Sequence, residues 1–205
     1  MKIQANFSKS NNGKIRIIAG KWKGRSIPVI SKIEVRPTLS RIRETLFNWL
    51  NPVIVNSICL DCFSGSGALG LESLSRGAKK VTFIDNSKAC INFLKKTITS
   101  FQEDSSSITI CTDCVSWLKQ LSKNTVTGYN IVFIDPPFNN RFIIYDIVYL
   151  LEKNNYLQKK SWIYIETSKL FNKGLFNKNK FPNNWVLYRK IVTQTILCCI
   201  YFRSS

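Results

Sequence analysis

The apolar residues of this chain follow two different spacings, one typical of strands and one typical of helices. From Lys14 to Val35, basic and apolar residues alternate around two glycines, which predicts short strands and a hairpin with one cationic face. From Leu39 to Leu50, apolar residues recur every three or four positions, as on one side of a helix, with Arg41 and Arg43 away from that side. The chain therefore begins with a predicted hairpin followed by a helix.

Beyond that helix, short apolar runs alternate with helical segments. The sequence predicts strands over 57–61, 81–85, 108–111, 130–135 and 162–166, and helices over 68–76, 88–100, 115–121 and 142–151. Such alternation is typical of an α/β fold, with a mostly parallel sheet covered by helices on both faces. The segment from Trp185 to Phe202 predicts a closing hairpin, and the polar residues 172–184 before it predict a long loop.

The net charge of the chain favours a polyanionic partner. Its 205 residues suit one α/β domain, and 30 Lys and Arg against 12 Asp and Glu give a net charge of +18. Compositional drift towards lysine is the alternative explanation for part of this excess. No apolar run is long enough to span a bilayer and the N-terminus does not resemble a signal peptide, so no membrane partner is expected.

Cysteine and histidine usage limits the chemistry further. Seven cysteines with no regular spacing and no secretory leader indicate reduced thiols and a cytoplasmic protein. Cys111 and Cys114 form a CxxC pair, but no second pair and no histidine are present to complete a metal site, so no metal is expected. The absence of histidine also excludes nucleophilic catalysis by Ser-His or Cys-His pairs.

A glycine loop connects the first predicted strand of the sheet to the following helix. The segment DCFSGSGALG, from Asp61 to Gly70, contains GxGxxG, a device that brings a ligand close to backbone amides. NAD-dependent enzymes share this pattern, so it does not define the ligand alone. Asp61 favours the cationic amino group of a methionine moiety, because a carboxylate at the strand end would repel a pyrophosphate. The candidate cofactor-binding residues of the loop are Asp61, Phe63, Ser64, Gly65 and Gly67.

Two further carboxylates end the next two strands. Asp85 is placed to accept hydrogen bonds from the two ribose hydroxyls of a nucleoside, and Asp113 to accept one from an adenine amino group. Each has an alternative role as the N-terminal cap of the helix that follows it. Together with their neighbours Asn86 and Cys114, they complete the predicted cofactor-binding set.

The segment FIDPPF, at the end of the fourth predicted strand of the sheet, is the most specific signal in the sequence. Asp135 and the carbonyl of Pro136 offer two acceptors to an exocyclic amino group, and the prolines hold that carbonyl rigid. The nitrogen lone pair would then point at a sulfonium methyl for in-line transfer. Phe138 offers a face on which an extruded base stacks. Asp135, Pro136, Pro137 and Phe138 are therefore the predicted catalytic residues, with a Pro-Pro turn capped by Asp135 as the alternative.

The segments RIIAGKWKGR, RPTLSRIRETLFNWL, DCFSGSGALG and FIDPPF, in this order and spacing, resemble the RsmD family of bacterial 16S rRNA guanine-N2 methyltransferases. The resemblance runs from about Gly13 to the C-terminal strands, and its N-terminal segments are not shared with methyltransferases at large. It implies a class I, Rossmann-like fold with a seven-stranded, mostly parallel sheet and an added N-terminal hairpin and helix. It also implies S-adenosylmethionine as cofactor and N2 methylation of guanine 966 of 16S rRNA, in the 30S subunit or its assembly intermediate.

The same resemblance implies that residues 1–52 form an RNA-binding extension and residues 53–205 the methyltransferase domain. Basic side chains of the extension would grip rRNA phosphates and orient the target base. These side chains are Arg16, Lys21, Lys23, Arg25, Arg36, Arg41 and Arg43. We expect a monomer. One departure from the expected pattern is a C-terminal hairpin turn, near Thr193–Thr195, that contains no glycine.

Three other functions stay open from the residues alone. A DNA adenine-N6 methyltransferase uses the same Asp-Pro-Pro-aromatic loop, although we see no separate target-recognition domain in this chain. A non-catalytic rRNA-binding assembly factor would not need both a cofactor loop and a catalytic loop. An NAD-dependent oxidoreductase would have no use for Asp135–Phe138. The residues by themselves do not distinguish guanine from adenine as the target base.

Overall fold

The computed structural model describes residues 15–28, 40–120, 128–137, 142–169 and 181–204. Its helices are α1 (Ser40–Leu50), α2 (Ala68–Ser75), α3 (Lys88–Ser100), α4 (Cys114–Lys119) and α5 (Ile143–Lys153). Its strands are β1 (Ile15–Arg16), β2 (Ser26–Ile27), β3 (Ile58–Asp61), β4 (Lys80–Asp85), β5 (Ser107–Cys111), β6 (Tyr129–Ile134), β7 (Leu157–Ser168), β8 (Trp185–Val192) and β9 (Ile196–Arg203). None of the helices in these described ranges is long and apolar enough to cross a bilayer.

Strands β3 to β9 form one seven-stranded sheet in the order β5-β4-β3-β6-β7-β9-β8. The strands from β5 to β7 in that order are parallel, and β9 and β8 are antiparallel to their neighbours. The predicted mostly parallel sheet with a closing hairpin is therefore confirmed. The chain continues from β3 to β4 on one side and returns to β6 on the other, so a topological switch point lies between β3 and β6. Ligands of Rossmann-like folds bind at such a point, beside the carboxyl ends of the strands.

Two hydrophobic clusters cover the two faces of the sheet. On one side, which we call the α1 face, helices α1, α2 and α3 pack on sheet residues such as Phe133 and Tyr164. The ring of Phe47 on α1 lies 6.0 Å from that of Phe133. On the other face, α4 and α5 pack on intervening sheet residues such as Val132 and Ile163. Strand residues separated by two positions share a face of the sheet, and this alternation determines which residues near the strand ends lie on the α1 face.

The hairpin of β1 and β2 packs into the same core as the sheet. Ile17, Trp22 and Ile27 belong to the cluster on the α1 face. At Gly20 the backbone comes so close to α2 that a Cβ would lie 1.9 Å from the carbonyl oxygen of Ser75, so only glycine fits there. The described residues on the two sides of position 52 therefore share one hydrophobic core. The proposed division at residue 52 is a division by function and does not separate two independently packed domains.

Strand β7 is longer than the sequence predicted. It begins at Leu157, whereas the apolar pattern predicted a start at Trp162. The polar run Gln158-Lys159-Lys160 interrupts that pattern. The pairing of β7 with β6 is irregular at the same place, so the alternation of faces is also interrupted there.

The C-terminal turn between β8 and β9 uses a threonine where glycine was expected. The hydroxyl oxygen of Thr193 accepts hydrogen bonds from the amides of Thr195 at 3.3 Å and Ile196 at 2.9 Å. The amide of Thr193 in turn donates to the carbonyl of Ile196 at 2.8 Å. The side chain thus stabilises the turn, and none of its residues adopts a positive φ.

Candidate active site

Two carboxylates lie at adjacent strand ends at the switch point between β3 and β6. Asp61 is the last residue of β3, and Asp135 follows the last residue of β6. Asp61 pairs in register with Phe133, so Asp135 lies one strand over and two residues further along. Phe133 belongs to the cluster on the α1 face, and Asp135, two residues later, follows it on that face. The structure therefore brings the predicted cofactor loop and the predicted catalytic segment together at one edge of the sheet.

The glycine loop between β3 and α2 is tied to the end of a neighbouring strand. The amide and the hydroxyl of Ser64 both donate to the carbonyl of Ile84, at 2.8 and 3.0 Å. Gly65 and Gly67 have φ values of 50° and 79°, which favour glycine. A Cβ on Gly67 would also lie 2.5 Å from Cδ1 of Leu94. Both the backbone conformation and the packing therefore require glycine at this bend.

Asp61 is buried beneath that loop, with 2% of its surface exposed, and accepts a hydrogen bond from the amide of Gly70 at 3.2 Å. Burial raises the pKa of the Asp61 carboxyl to about 7, opposed by the hydrogen bond from Gly70 and reinforced by the charge of Asp85. A bound cation would offset the cost of keeping this carboxylate ionised, whereas a pyrophosphate would increase it. The site therefore fits the ammonium group of a methionine moiety better than the phosphates of NAD.

Asp85 ends β4 beside the glycine loop. Its carboxylate accepts hydrogen bonds from the amides of Gly65 and Ser87, each at 2.8 Å. Ser87 itself caps α3, because its hydroxyl accepts from the amide of Cys90. The alternative capping role is thus filled by Ser87. The two amide contacts orient the Asp85 carboxylate, and each oxygen keeps a lone pair for a ribose hydroxyl.

Asp113 caps α4, as its alternative role predicted. Its carboxylate accepts a hydrogen bond from the amide of Ser116 at 2.8 Å. The side chain is exposed, and one capping bond does not use all the acceptor sites of a carboxylate. Asn86 is exposed as well, just beyond β4. A contact of Asp113 or Asn86 with a nucleoside stays a prediction.

The CxxC pair is split between two environments. Cys111 is exposed, whereas Cys114 is buried in the cluster formed with α4 and α5. The Cys114 thiol therefore packs in the core, where it lies beside the thiol of Cys62 in the glycine loop. Within the described residues, no group of three or more His, Cys, Asp or Glu side chains is arranged to hold a metal ion.

The catalytic segment leaves the sheet at a fixed strand end. The amide of Cys62 donates to the carbonyl of Phe133 at 3.0 Å and so joins the ends of β3 and β6. Asp135 is partly exposed, Pro136 is buried and Pro137 is exposed. The prolines have no N–H, so this stretch presents carbonyl acceptors. Phe138, predicted to stack on the base, lies outside the described residues, as does Arg36.

One carboxylate at this edge was missed among the candidate site residues. Glu166 near the end of β7 is 2% exposed, and it accepts a hydrogen bond from the hydroxyl of Tyr164 at 2.7 Å. Ile134 pairs in register with Ile165, so Glu166 is the neighbour of Asp135 across the two strands. Sequence reasoning had a signal for it, because Glu166 ends the predicted strand 162–166 as the recognised carboxylates end theirs.

The described basic residues of the extension lie mostly on the surface. Those exposed are Arg16, Lys21, Lys23, Arg25 and Arg41. Their positions allow contact with a polyanion, and their role in RNA binding stays a prediction.

Two of these exposed residues also attach the hairpin to the rest of the protein. Lys21 forms an ion pair with Glu103. Arg25 donates to the carbonyl of Ser100 at 2.5 Å, and its guanidinium lies 4.0 Å from the centre of the Phe101 ring. Both contacts lie at the C-terminal end of α3, so Lys21 and Arg25 have a structural role that the sequence did not reveal.

The prediction that Arg43 binds RNA is wrong, because its side chain is 1% exposed and faces the core. Its guanidinium donates to the carbonyl of Arg16, and burial lowers its pKa. On α1 it precedes Leu46, Phe47 and Leu50 by three, four and seven positions, so it lies on the buried side of the helix. Arg43 therefore joins α1 to the hairpin and is not available to an RNA phosphate.

Comparisons with known proteins agree with this geometry. A family model described as Conserved hypothetical protein 95 matches residues 15–201. The ribosomal RNA small subunit methyltransferase D of Escherichia coli (strain K12) is 41% identical over 196 residues, covering 96% of this chain and 93% of that protein. The protein of the same name from Buchnera aphidicola subsp. Baizongia pistaciae is 42% identical, covering 100% of this chain and 99% of its own.

Solved structures give the same result. The structure of an Escherichia coli protein described as a methyltransferase superposes with a TM-score of 0.82 at 41% identity, covering 94% of this chain and 99% of that one. With the strand order, this likeness confirms the predicted class I methyltransferase fold. The chain belongs to the Conserved hypothetical protein 95 family, together with the ribosomal RNA small subunit methyltransferases D.

Proposed function

We propose that this chain is a cytoplasmic enzyme that transfers a methyl group from S-adenosylmethionine to the exocyclic N2 of a guanine in 16S rRNA, at guanine 966. The observation that carries the proposal is that Asp61 and Asp135 lie at adjacent strand ends at the switch point of the sheet. One carboxylate lies in a loop suited to a methionine ammonium group, and the other in a segment suited to the amino group of a base. Donor and acceptor bound by these two residues would be neighbours.

The cofactor residues each have a part in this proposal. When bound, S-adenosylmethionine supplies an electrophilic sulfonium methyl group. Asp61 would bind its ammonium group, Asp85 its ribose hydroxyls and Asp113 its adenine amino group. The rest of the proposed set lies in or beside the glycine loop and the strand ends: Phe63, Ser64, Gly65, Gly67, Asn86 and Cys114. Burial makes ionisation of the Asp61 carboxyl costly, and a bound cation would offset that cost, which supports a cationic ligand beside Asp61.

The catalytic residues would orient the target nitrogen. Asp135 and the carbonyl of Pro136 would accept its two N–H hydrogens, which directs the lone pair away from both acceptors and towards the methyl group. Pro137 would stiffen the segment, and Phe138 would stack on the extruded base. The nitrogen becomes acidic once it has gained the methyl group, so Asp135 or water can take its proton without a histidine.

The rRNA substrate is supported by charge and by relationship. The net charge is +18, and the hairpin and α1, which carry the exposed basic residues, pack on the α1 face of the sheet. Arg36 belongs to the proposed contacts as well. The relatives that match over nearly the whole chain are named for ribosomal RNA of the small subunit, which favours rRNA over DNA as the polymer. We propose that a monomer acts on the 30S subunit or its assembly intermediate.

The test uses 30S subunits from a strain that lacks the endogenous modification. The subunits are incubated with the protein and labelled S-adenosylmethionine, and the rRNA is digested and its labelled nucleoside identified by mass spectrometry. N2-methylguanosine in 16S rRNA is the expected product. Plasmid DNA serves as the competing polymer, and calorimetry with S-adenosylhomocysteine and NAD compares the two cofactors.

The other outcomes each remove a part of the proposal. Label in N6-methyladenosine of DNA would overturn the assignment of rRNA guanine as the substrate and leave the mechanism of methyl transfer intact. Tighter binding of NAD than of S-adenosylhomocysteine would overturn the assignment of Asp61. Binding of S-adenosylhomocysteine and of 30S subunits without any label would favour a non-catalytic assembly factor.

A further inference from the structure

Glu166 is a buried carboxylate at the edge of the sheet that carries Asp61 and Asp135. It belongs neither to the cofactor loop nor to the Asp-Pro-Pro-Phe segment, and the proposed function gives it no role. With 2% of its surface exposed, it has lost nearly all of its hydration. Burying a carboxylate is costly unless it gains compensating contacts or serves a function. Glu166 lies on β7, directly beside β6, whose last residue, Ile134, precedes Asp135.

Register and side-chain alternation bring Glu166 towards Asp135. The parallel pairing of β6 and β7 sets Phe133 opposite Tyr164 and Ile134 opposite Ile165, which makes Asp135 and Glu166 the next neighbours. Phe133 and Tyr164 both belong to the cluster on the α1 face. Because strand residues two positions apart share a face, Asp135 and Glu166 both follow them on that face.

The surroundings of Tyr164 are consistent with this arrangement. The Tyr164 hydroxyl donates to Oε2 of Glu166 at 2.7 Å and holds the carboxylate in place. Burial, followed by the charge of Glu166, raises the pKa of Tyr164 well above its ordinary value, and the charge of Asp135 adds to the effect. The same two carboxylates raise the pKa of Cys198, after the effect of burial. The carboxyl groups of Asp135 and Glu166 therefore both lie close to one small buried region.

We propose that Glu166 is a positioning residue of the methyl-transfer site, an inference that rests on the proposed function. Its negative charge, oriented by Tyr164, acts with Asp135 to stabilise positive charge on the target nitrogen. During transfer the nitrogen lone pair forms the N–C bond while the C–S bond breaks and leaves its electron pair on sulfur. The positive charge passes from sulfur to nitrogen, and the N–H proton then leaves to Asp135 or water.

This charge movement explains why a second carboxylate accelerates the reaction. A fixed charge lowers the barrier only if it interacts more strongly with the transition state than with the bound reactants. Positive charge that moves from sulfur to the nitrogen held by Asp135 moves towards Glu166 as well. Because Glu166 is itself buried, water screens its interaction with the nitrogen only weakly, so Glu166 acts on the rate of transfer without contacting the cofactor.

The test compares Glu166→Gln, Glu166→Asp and Tyr164→Phe with the wild type on the polymer that the wild type methylates. Glutamine keeps the size of the side chain and can still accept from Tyr164, so the change removes mainly the charge. We expect Glu166→Gln to lower kcat by on the order of 10- to 100-fold. KM for the polymer and the affinity for S-adenosylhomocysteine are expected to stay within about twofold, since neither binding step depends on the moving charge. Glu166→Asp, which keeps the charge, is expected to recover part of the lost rate.

Two controls separate this role from a structural one. Asp104→Asn makes the same chemical change at an exposed position beyond α3, and it is expected to leave kcat unchanged. Tyr164→Phe keeps the charge but frees the carboxylate, so its kcat is expected to lie between those of the wild type and Glu166→Gln. It also serves as the second variant should Glu166→Gln fold poorly in a thermal melt.

The outcomes distinguish this inference from the proposed function. An equal kcat for the wild type and Glu166→Gln, with methylation by both, would overturn the role of Glu166 and leave the proposed function intact. A loss of rate explained wholly by weaker cofactor binding, or no recovery in Glu166→Asp, would also overturn it. Absence of methylation by the wild type would remove both proposals together.

Discussion

The buried carboxylate of Glu72 on α2 accepts a hydrogen bond from the backbone amide of Ile18 at 2.7 Å. The same carboxylate accepts from the amide of Ala19 at 3.0 Å and pairs with Arg76 at 2.7 Å. Because α2 begins at the glycine loop, Glu72 connects the cofactor loop to the basic hairpin through a single helix. The Glu72 side chain therefore helps to hold the parts of the protein proposed to bind cofactor and RNA in a fixed relation.

Substitution of Glu72 by alanine is expected to destabilise the whole fold. The change leaves the amides of Ile18 and Ala19 and the guanidinium of Arg76 without their buried acceptor, a loss of about 3 kcal/mol in the free energy of unfolding. Urea denaturation followed by circular dichroism measures it. Glu44→Ala, at an exposed position on α1, is the matched control and is expected to change stability by less than about 0.5 kcal/mol. Equal stability of the two variants would contradict the docking role of Glu72.

Cofactor affinity is expected to rise with pH through neutrality because of Asp61. Its pKa is raised to about 7, chiefly by burial, so the cofactor-free protein is largely protonated there at pH 6 and ionised at pH 8. An ammonium group binds the ionised form. Calorimetric titration with S-adenosylhomocysteine at pH 6 and pH 8 tests this, with Asp61→Asn as the control whose affinity is weaker and nearly independent of pH. A wild-type affinity that does not change between these two pH values would refute the prediction.

The stability of the cofactor-free protein is expected to show the opposite trend. A carboxyl whose pKa is higher in the folded than in the unfolded state binds its proton more tightly when folded. The contribution of Asp61 to stability is therefore fully present below about pH 4 and is lost as the pH rises through about 7. Asp61→Asn should accordingly be more stable than the wild type at pH 8, and this difference should shrink at pH 5. Unfolding free energies at the two pH values measure it, and a difference that grows towards low pH would show the sign to be wrong.

Asp135→Ala tests the proposed catalytic segment. The variant is expected to bind S-adenosylhomocysteine almost as tightly as the wild type, because Asp135 follows β6 and is not part of the glycine loop. Its rate of methyl transfer is expected to fall by roughly 100-fold or more, on the order of 3 kcal/mol, since the target nitrogen loses one of two orienting acceptors. Single-turnover assays with labelled cofactor measure this rate. Unchanged transfer would remove the catalytic role of Asp135.

Sequence patterns predicted the strand ends, and through them most of the candidate site. Asp61, Asp85 and Asp135 each follow a run of apolar residues, and in a parallel sheet the carboxyl ends of such runs meet at one edge. The role of Glu72 was not predictable in the same way, because its backbone partners Ile18 and Ala19 are distant in sequence. Glu166 also ends a predicted strand, but it was not recognised as a candidate site residue. From residue type alone, a glutamate is expected to be solvated at the surface, whereas the fold buries these two.

Arg43 was misassigned for a related reason. Its spacing from Leu46, Phe47 and Leu50 is that of a buried helical position, and this was the available signal, but a guanidinium at such a position is expected at the surface. Among the described residues, the carbonyl of Arg16, brought close by the hairpin, accepts a hydrogen bond from the buried guanidinium. That carbonyl belongs to another element, so its proximity depends on tertiary structure.

Arg41 and Arg43, two residues apart on α1, therefore provide a matched test of the RNA surface. Arg41 is exposed and is expected to neutralise a phosphate, whereas Arg43 is buried. Arg41→Ala should weaken binding to 16S rRNA and lower the slope of log affinity against log salt concentration by about one unit. Arg43→Met, which keeps an unbranched chain in the core, should leave that slope unchanged even if it alters thermal stability. The slopes are measured by filter binding at several salt concentrations. A slope reduced by Arg43→Met and not by Arg41→Ala would mean that the RNA approaches α1 from the side that the hairpin covers, which contradicts this arrangement.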